Sequence, residues 1–477
     1  MNNQNAPSGG QLPSYITSAT PNPVDKRAPW YKTTAQTYAG IFLWFVFWDS
    51  MSGNGLSTGG LGMALLGVIL GALICHYLFY VVPGMLGMST GLPLYVVGTS
   101  TFGAVGGLLM PGFLMGALQF GWLGVNACGS ADALSQGFHA PGLYIPIAII
   151  WTLLAAFVGL KGIQYVAKVA TYLPLIPFVV LLVGLAMFGG SAGDYKPAPK
   201  VVEAVTGASS GGGFSAMLVM ISAIVGFFAT AGAAGVDICT SNRDKKDVSM
   251  GGIFGIVIAI IFTAGISVIA VAGAKAAGII DPTATKMTVA LQQKVGAGMF
   301  AAIMIGLTLA AFPGACFSSL IAANSFKTTL PKANPLVTVG IGAIVSIIIA
   351  VMPVGAAIDQ KWAAKLPSVF GFIGASFGPI VGAMVVDYFL SGKKWSGPRA
   401  GFNPAGWIAW LLGFIVGILP NSVLPESIRV NVPCAPVAAF IVGAVVYFLC
   451  AKMNLLSQVV PLPAKSAQGS PQTAGAK

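Results

Sequence analysis

Ser52–Gly60 reads SGNGLSTGG and Ala229–Asp237 reads ATAGAAGVD. The two stretches interrupt the first and the sixth long apolar runs, and each has an acid at hand, Asp49 and Asp237. Glycine-rich interruptions at corresponding places in two halves predict discontinuous membrane helices around a central binding site. Irregular backbone is tolerated at membrane depth only where protein buries it or where it lines a polar cavity. The two stretches together predict a protein that carries a solute across a membrane.

Composition agrees. Hydrophobic residues make up 56% of the 477 and charged residues 8%, too little charge to cover a soluble surface. Twelve apolar spans of roughly 17–25 residues, the length of a bilayer core, centre near Val46, Ile69, Met115, Trp151, Val180, Val225, Ile260, Leu309, Ile344, Ser376, Leu412 and Ala444. The fourth, ninth and eleventh are shorter or interrupted by proline. Glycine pairs four apart (Gly67/Gly71, Gly112/Gly116, Gly413/Gly417) predict faces where helix backbones approach closely.

With the N-terminus inside, the inner segments hold 16 of the 24 basic residues. Both termini are therefore expected on the cytoplasmic side of a cytoplasmic (inner) membrane. The net charge of +12 is read as this bias. A nucleic-acid partner would need a clustered basic face, so none is expected. Six scattered cysteines without a CxxC pair and two histidines 63 residues apart predict buried thiols, no metal site and no cofactor. The chain divides into a polar N-terminal tail (1–37), two helical units (38–190 and 214–390), a final helical pair (402–452) and a disordered tail (453–477).

The third span contains GALQFGWLGVN, Gly116–Asn126. At helical spacing Gln119, Trp122 and Asn126 fall on one face. Two amides and an indole could stack on and hydrogen-bond a flat heteroaromatic, or they could pack and bond between helices. A membrane enzyme would need an acid/base pair, a metal cluster or an activated nucleophile. The membrane acids Asp49, Asp237 and Asp387 lie on separate spans, and HExxH, GxSxG and P-loop patterns are absent. A channel would need a repeated filter segment, and a receptor would need longer cytoplasmic segments.

The stretch Thr90–Asn126, TGLPLYVVGTSTFGAVGGLLMPGFLMGALQFGWLGVN, resembles the nucleobase–cation symporter-1 family, its bacterial cytosine permeases in particular. STGG (Ser57–Gly60), GFFATAGAAGVD (Gly226–Asp237), GASFGPIVGAMVVDYFL (Gly374–Leu390) and FNPAGWIAW (Phe402–Trp410) continue it in family order, over about residues 38–450. The resemblance implies an all-α integral membrane fold of the LeuT type. That fold has twelve transmembrane helices: two inverted five-helix repeats, with helices 1 and 6 discontinuous, followed by two C-terminal helices. It also implies a monomeric symporter in the lipid bilayer, moving a nucleobase such as cytosine or a purine with H+ or Na+ by alternating access. Uracil, allantoin, hydantoins and pyridine-type vitamins are substrates of relatives.

Carried over residue by residue, Trp122 matches the tryptophan that stacks on the substrate ring, and Gln119 the glutamine that hydrogen-bonds it. The spacing to Asp237 favours Phe228 over its neighbour Phe227 as the second aromatic wall, with Thr230 reading the ring edge. Ser52, Gly53 and Asn54 at the first interruption would supply further donors and acceptors.

The eighth span departs from the family pattern. Ala310, Ala311 and Gly314 stand where relatives offer the hydroxyls and the amide that complete a sodium site and bind the base, unless the register slips to Thr308 or Ser318/Ser319. Pro313 is similar to the proline of fungal purine–cytosine permeases of the family, which use protons. The first-helix carbonyls of Trp48 and Met51 would flank Asp49, making Asp49 a candidate to bind H+ or to charge a modified cation site, or else a cap of the broken helix. Asp237 is expected to cap a helix or pair with a basic residue as a gate element. Asp387 is expected to pair with Lys393 or Lys394, and His76 to pack.

Overall fold

The computed structural model describes residues 12–35, 46–161, 173, 175–197, 214–282, 286–351 and 361–462, the side chains at 49–50 and 361–367 excepted. Among these the architecture is helical. The helices of the bundle are α1 (Ser52–Ser57, continuing a π-helical turn Phe47–Met51), α2 (Leu61–Thr90), α3 (Leu108–Gly137), α4 (Pro141–Lys161), α5 (Leu175–Asp194), α6 (Ser215–Cys239), α7 (Lys245–Ala276), α8 (Ala297–Thr329), α9 (Pro335–Val351), α10 (Lys361–Leu390), α11 (Pro404–Ile418) and α12 (Ala435–Lys452). Nine of the described helices are long and apolar enough to cross a membrane, the fourth among them although it was expected to be short or interrupted, and the described parts of α9 and α11 are shorter. All twelve expected centres fall in helical segments.

The two glycine-rich stretches do not behave as expected. α6 runs unbroken through Ala229–Asp237, and Ser52–Ser57 is helical. The chain leaves the helix only at Thr58–Gly60, where Thr58 N–H and its hydroxyl close on the Gly55 carbonyl and Gly60 turns extended to start α2. The glycines instead serve close packing. A Cβ on Gly55 would lie 2.9 Å from Met220 Cγ, one on Gly59 3.0 Å from Ala216 Cβ, and one on Gly232 2.9 Å from Phe79 Cβ. Alanine and glycine carry little helix penalty when a neighbouring helix fills the space, so α1 and α2 lie directly against α6.

Glycine contacts also fix helix directions. Gly67 faces Met217 and Gly84 faces Cys239, so α2 and α6 run parallel. Gly116 faces Phe326 and Gly137 faces Met304, so α3 and α8 run antiparallel. Gly413 and Gly417 pack α11 on Pro379 and Ala375 of α10. The three glycine pairs read from the sequence are thus packing faces.

Both tails begin as ordered structure. Arg27 donates to Met88 O at 2.7 Å and Thr34 bonds Asn242 Oδ1 at 2.6 Å, so residues 12–35 dock beneath α2 and α6. The expected disordered tail from 453 is, over its first residues, tied down. Ser457 N donates to Asn403 Oδ1, Arg399 Nη1 to Ser457 O, and Val460 N to Pro398 O. Residues 463–477 lie outside the described residues.

Candidate substrate site

Trp122 sits near the middle of α3, 6% exposed, and its ring gathers residues from two other helices. Its Nε1 donates to Thr230 Oγ1 of α6 at 3.1 Å. Phe227 meets it edge-on at 5.0 Å, and Phe370 of α10 stacks on it at 5.6 Å with an interplanar angle of 25°. Phe227 also meets Phe370 and Phe47 edge-on, at 5.7 and 5.2 Å. α1, α3, α6 and α10 therefore converge on one aromatic node.

Trp122 and Thr230 are thus in direct contact, and the phenylalanine of α6 beside the indole is Phe227. Among the described residues the rings in contact with Trp122 are Phe227 and Phe370; Phe228, one residue (about 100°) further round α6, is buried elsewhere. Phe370 was missed because it lies four residues ahead of the Gly374–Leu390 block; one helical turn back from Gly374 was the available signal.

The amides on α3 have different surroundings. Asn126 Nδ2 donates to Trp122 O at 2.9 Å, while its Oδ1, buried, finds no hydrogen-bond partner among the described residues. Gln119 Nε2 donates to Met115 Sδ at 3.5 Å. A buried amide oxygen left unpaired costs about 1–3 kcal/mol, so a bound polar group there is favourable.

Above Phe370 lies a cavity of about 490 Å³ between the ends of α1, α6, α10, α11 and α12, lined by Met51, Asn54, Thr58, Ser222, Phe370 and Asn421 among others. Phe370 thus both stacks on Trp122 and belongs to the lining of the cavity. Ser52 and Gly53 are buried behind this lining. Ser52 Oγ contacts Ser267 Oγ of α7 at 2.7 Å.

The expected coupling residues are in part placed. Trp48, Met51, Ala310 and Ala311 are all buried, and the side chain of Asp49 lies outside the described residues. Thr308 donates to Met304 O within its own helix, Ser318 to Gly314 O, and Ser319 to Ala156 O of α4.

Asp237 caps a helix, one of its two expected roles, whereas Asp387 has partners other than those expected. Asp237 Oδ1 accepts the Leu94 N–H at 2.9 Å, capping the short helix Leu94–Val97, and Arg243 pairs with Asp247 at 2.7 Å. Asp387 pairs with Arg399 at 3.2 Å rather than with Lys393 or Lys394, and accepts the Tyr447 hydroxyl at 2.8 Å. Lys393 adopts a left-handed φ of 60° in the turn after α10; the loop doubles back there and delivers Arg399 instead. His76 is buried and packs on Tyr80.

No protein-family model matches the chain. A relative named "Putative allantoin permease", from Escherichia coli (strain K12), is 24% identical over 403 residues, covering 75% of this chain and 78% of its own length. Among solved structures, Mhp1, a nucleobase-cation-symport-1 family transporter in a closed conformation with bromovinylhydantoin bound, aligns over 94% of this chain and 98% of its own, with TM-score 0.64 and 16% identity. A Na+-coupled sialic acid symporter in a substrate-bound outward-open state aligns over 94% and 93%, with TM-score 0.56 and 15% identity.

The fold is therefore the helical, multi-pass membrane fold seen in these solved transporters. Its likeness to the nucleobase-cation-symport-1 family transporter Mhp1 agrees with the resemblance that the sequence motifs carry.

Proposed function

We propose that the protein is a secondary active transporter that imports a flat nitrogen heterocycle by alternating access, a nucleobase such as cytosine or a purine being the leading substrate class. The observation that carries this reading is the Trp122 node. One indole face is covered by a phenylalanine ring that itself borders a cavity, and an unpaired amide oxygen lies one turn away. A planar ring taking Phe370's place on Trp122 would gain stacking and apolar burial. A ring N–H or amino group would satisfy Asn126 Oδ1 and fix orientation.

A second reading, a hydantoin or allantoin as substrate, is favoured by the names of the permease relative and of the hydantoin-bound Mhp1 structure. Both substrate classes present ring N–H groups to an acceptor. The division into two inverted five-helix repeats with two added helices belongs to the same proposal. So do the inner-membrane location, the cytoplasmic termini, the monomeric state and coupling to H+ or Na+.

The test is a thermal-shift screen of the purified protein against nucleobases, hydantoins and allantoin, followed by counterflow in proteoliposomes. A ligand at a hundred times its Kd should stabilise the folded state by about 2.7 kcal/mol. Trp122→Ala should abolish that shift, and Phe227→Ala should weaken it more than Phe228→Ala. Retained affinity in Trp122→Ala, or saturable binding without counterflow, overturns the reading.

A further inference from the structure

Residues 24–33 lie beside the stretch that joins α6 to α7. Ala28 and Asn242 form a parallel bridge, in which Ala28 N donates to Ser241 O at 2.9 Å. Arg27 Nη1 donates to Asn242 O at 3.3 Å, and Trp30 N to Asp247 Oδ1 at 3.2 Å. Two segments distant in sequence are thereby held side by side. The first brings Lys26, Arg27 and Lys32, and the second Arg243, Lys245 and Lys246. Arg27 is spent on the carbonyls of Asn22, Met88 and Asn242; the other five cations are exposed.

Carboxylates answer only part of this charge. Asp247 is buried and pairs with Arg243, Asp244 caps α7 by accepting the Asp247 N–H at 2.8 Å, and Asp25 is exposed next to Lys26. Six cations against three carboxylates leave a surplus of three positive charges. Lys26, Lys32, Lys245 and Lys246 form no ion pair among the described residues.

Aromatic rings orient the patch. The Trp30 backbone meets Asp247 in the first turn of α7, and its ring stacks on Phe254, 4.8 Å away at 21°. Phe254 lies two turns further along α7, exposed on the flank of that membrane helix. Within the length of one side chain the surface thus passes from lysines to apolar helix. Tyr31, edge-on to Trp30 at 5.7 Å, is exposed at the same place. Trp and Tyr concentrate at the depth of lipid headgroups, where an apolar ring and a polar edge each meet a matching medium.

We propose that this edge of the molecule is a docking surface for an anionic phospholipid. The headgroup phosphate lies among Lys26, Lys32, Lys245 and Lys246, and the acyl chains descend past Trp30 and Phe254. Under the orientation proposed above this face is cytoplasmic, and the cytoplasmic leaflet is the one that carries acidic lipids and attracts basic segments beside membrane helices. Basic residues scattered over that face would be solvated charge and nothing more. Here backbone hydrogen bonds gather them from two segments onto one edge, and an interfacial tryptophan connects that edge to the lipid-facing side of α7. The same strap reaches α2 through Arg27 and the Ala104 carbonyl through the Tyr15 hydroxyl, so a lipid bound here fastens residues 12–35 against the helix ends.

The experiment melts the purified full-length protein in an uncharged detergent with rising phosphatidylglycerol, phosphatidylcholine or inorganic phosphate. Phosphatidylglycerol should raise the melting midpoint in a saturable way, less so at high salt, and the other two should not. Lys245→Gln/Lys246→Gln should raise the half-saturating phosphatidylglycerol concentration about ten- to thirtyfold, and Lys32→Gln about fivefold. Lys393→Gln/Lys394→Gln removes two exposed lysines from the turn after α10 and should leave it unchanged. If Lys245→Gln/Lys246→Gln melts early without lipid, Lys245→Arg/Lys246→Arg, which restores the charge, must restore the lipid response.

Equal shifts from the two lipids overturn the proposal, as does the full shift from inorganic phosphate alone, which would make the patch a free-anion site. So does an equal loss in Lys393→Gln/Lys394→Gln, which would reduce it to diffuse attraction over the whole face. Failure of the transport reading looks different: no heterocycle stabilises the protein with or without phosphatidylglycerol, while the lipid titration is still read.

Discussion

Two buried ion pairs close opposite ends of the bundle, and they are held differently. At one end Asp387 and Arg399 sit in a network. Tyr447 donates to the carboxylate, Arg399 also reaches Ser100 O and Ser457 O, and Asn403 ties Thr101 O to the backbone of Ser457. Four separate stretches of chain are fastened there: the short helices near residue 100, the ends of α10 and α12, and the loop before α11. At the other end Asp132 of α3 meets Lys286, just before the helix Met287–Lys294, at 2.7 Å. Its second oxygen has no hydrogen-bond partner among the described residues.

A fully satisfied polar network rigidifies its surroundings, whereas a partly satisfied one holds less tightly. The cavity above Phe370 opens at the Lys286 end, opposite the network. The comparison teaches that the Arg399 end is the fastened end of this conformation and the Lys286 end the one more easily parted.

Three substitutions would break or sharpen that contrast. Arg399→Ala leaves Asp387 as a buried charge without its cation, and should cost about 3–5 kcal/mol of stability, read as the largest fall in melting midpoint. Lys286→Ala removes one charged hydrogen bond from a less enclosed carboxylate, and should cost about 1.5–3 kcal/mol. It should also speed proteolysis at the 282–294 segment relative to the Arg399 end. Arg243→Ala should leave the midpoint unchanged within error. Arg243 is about half exposed, and Asp247 keeps the Trp30 and Arg243 N–H groups. A larger loss in Lys286→Ala than in Arg399→Ala would reverse the assignment of the two ends.

The spans were legible because twenty-residue apolar runs admit few other fates. The Trp122 face was legible because helical spacing places Gln119, Trp122 and Asn126 together whatever surrounds them. The glycine-rich stretches misled, since sequence does not distinguish a glycine that breaks a helix from one that admits a neighbour. Gly232 makes room for Phe79, and α6 stays straight through it. The partners of Asp387 could not be read either. Lys393 and Lys394 are nearer in sequence, but a turn with Gly392 and Lys393 at positive φ carries the chain past them to Arg399.

The sequence by itself determined a helical membrane protein, the approximate position of its long apolar helices, and an indole with two amides on one face of the third. Those properties depend on local composition and on the 3.6-residue period, which no neighbour alters. Only the tertiary structure decided that Phe227 and Phe370 meet Trp122, that Ser52 is matched with Ser267, and that the glycines pack helices rather than break them. Each of these depends on the rotation and separation of two helices distant in sequence, and that geometry is set by how their surfaces fit against each other.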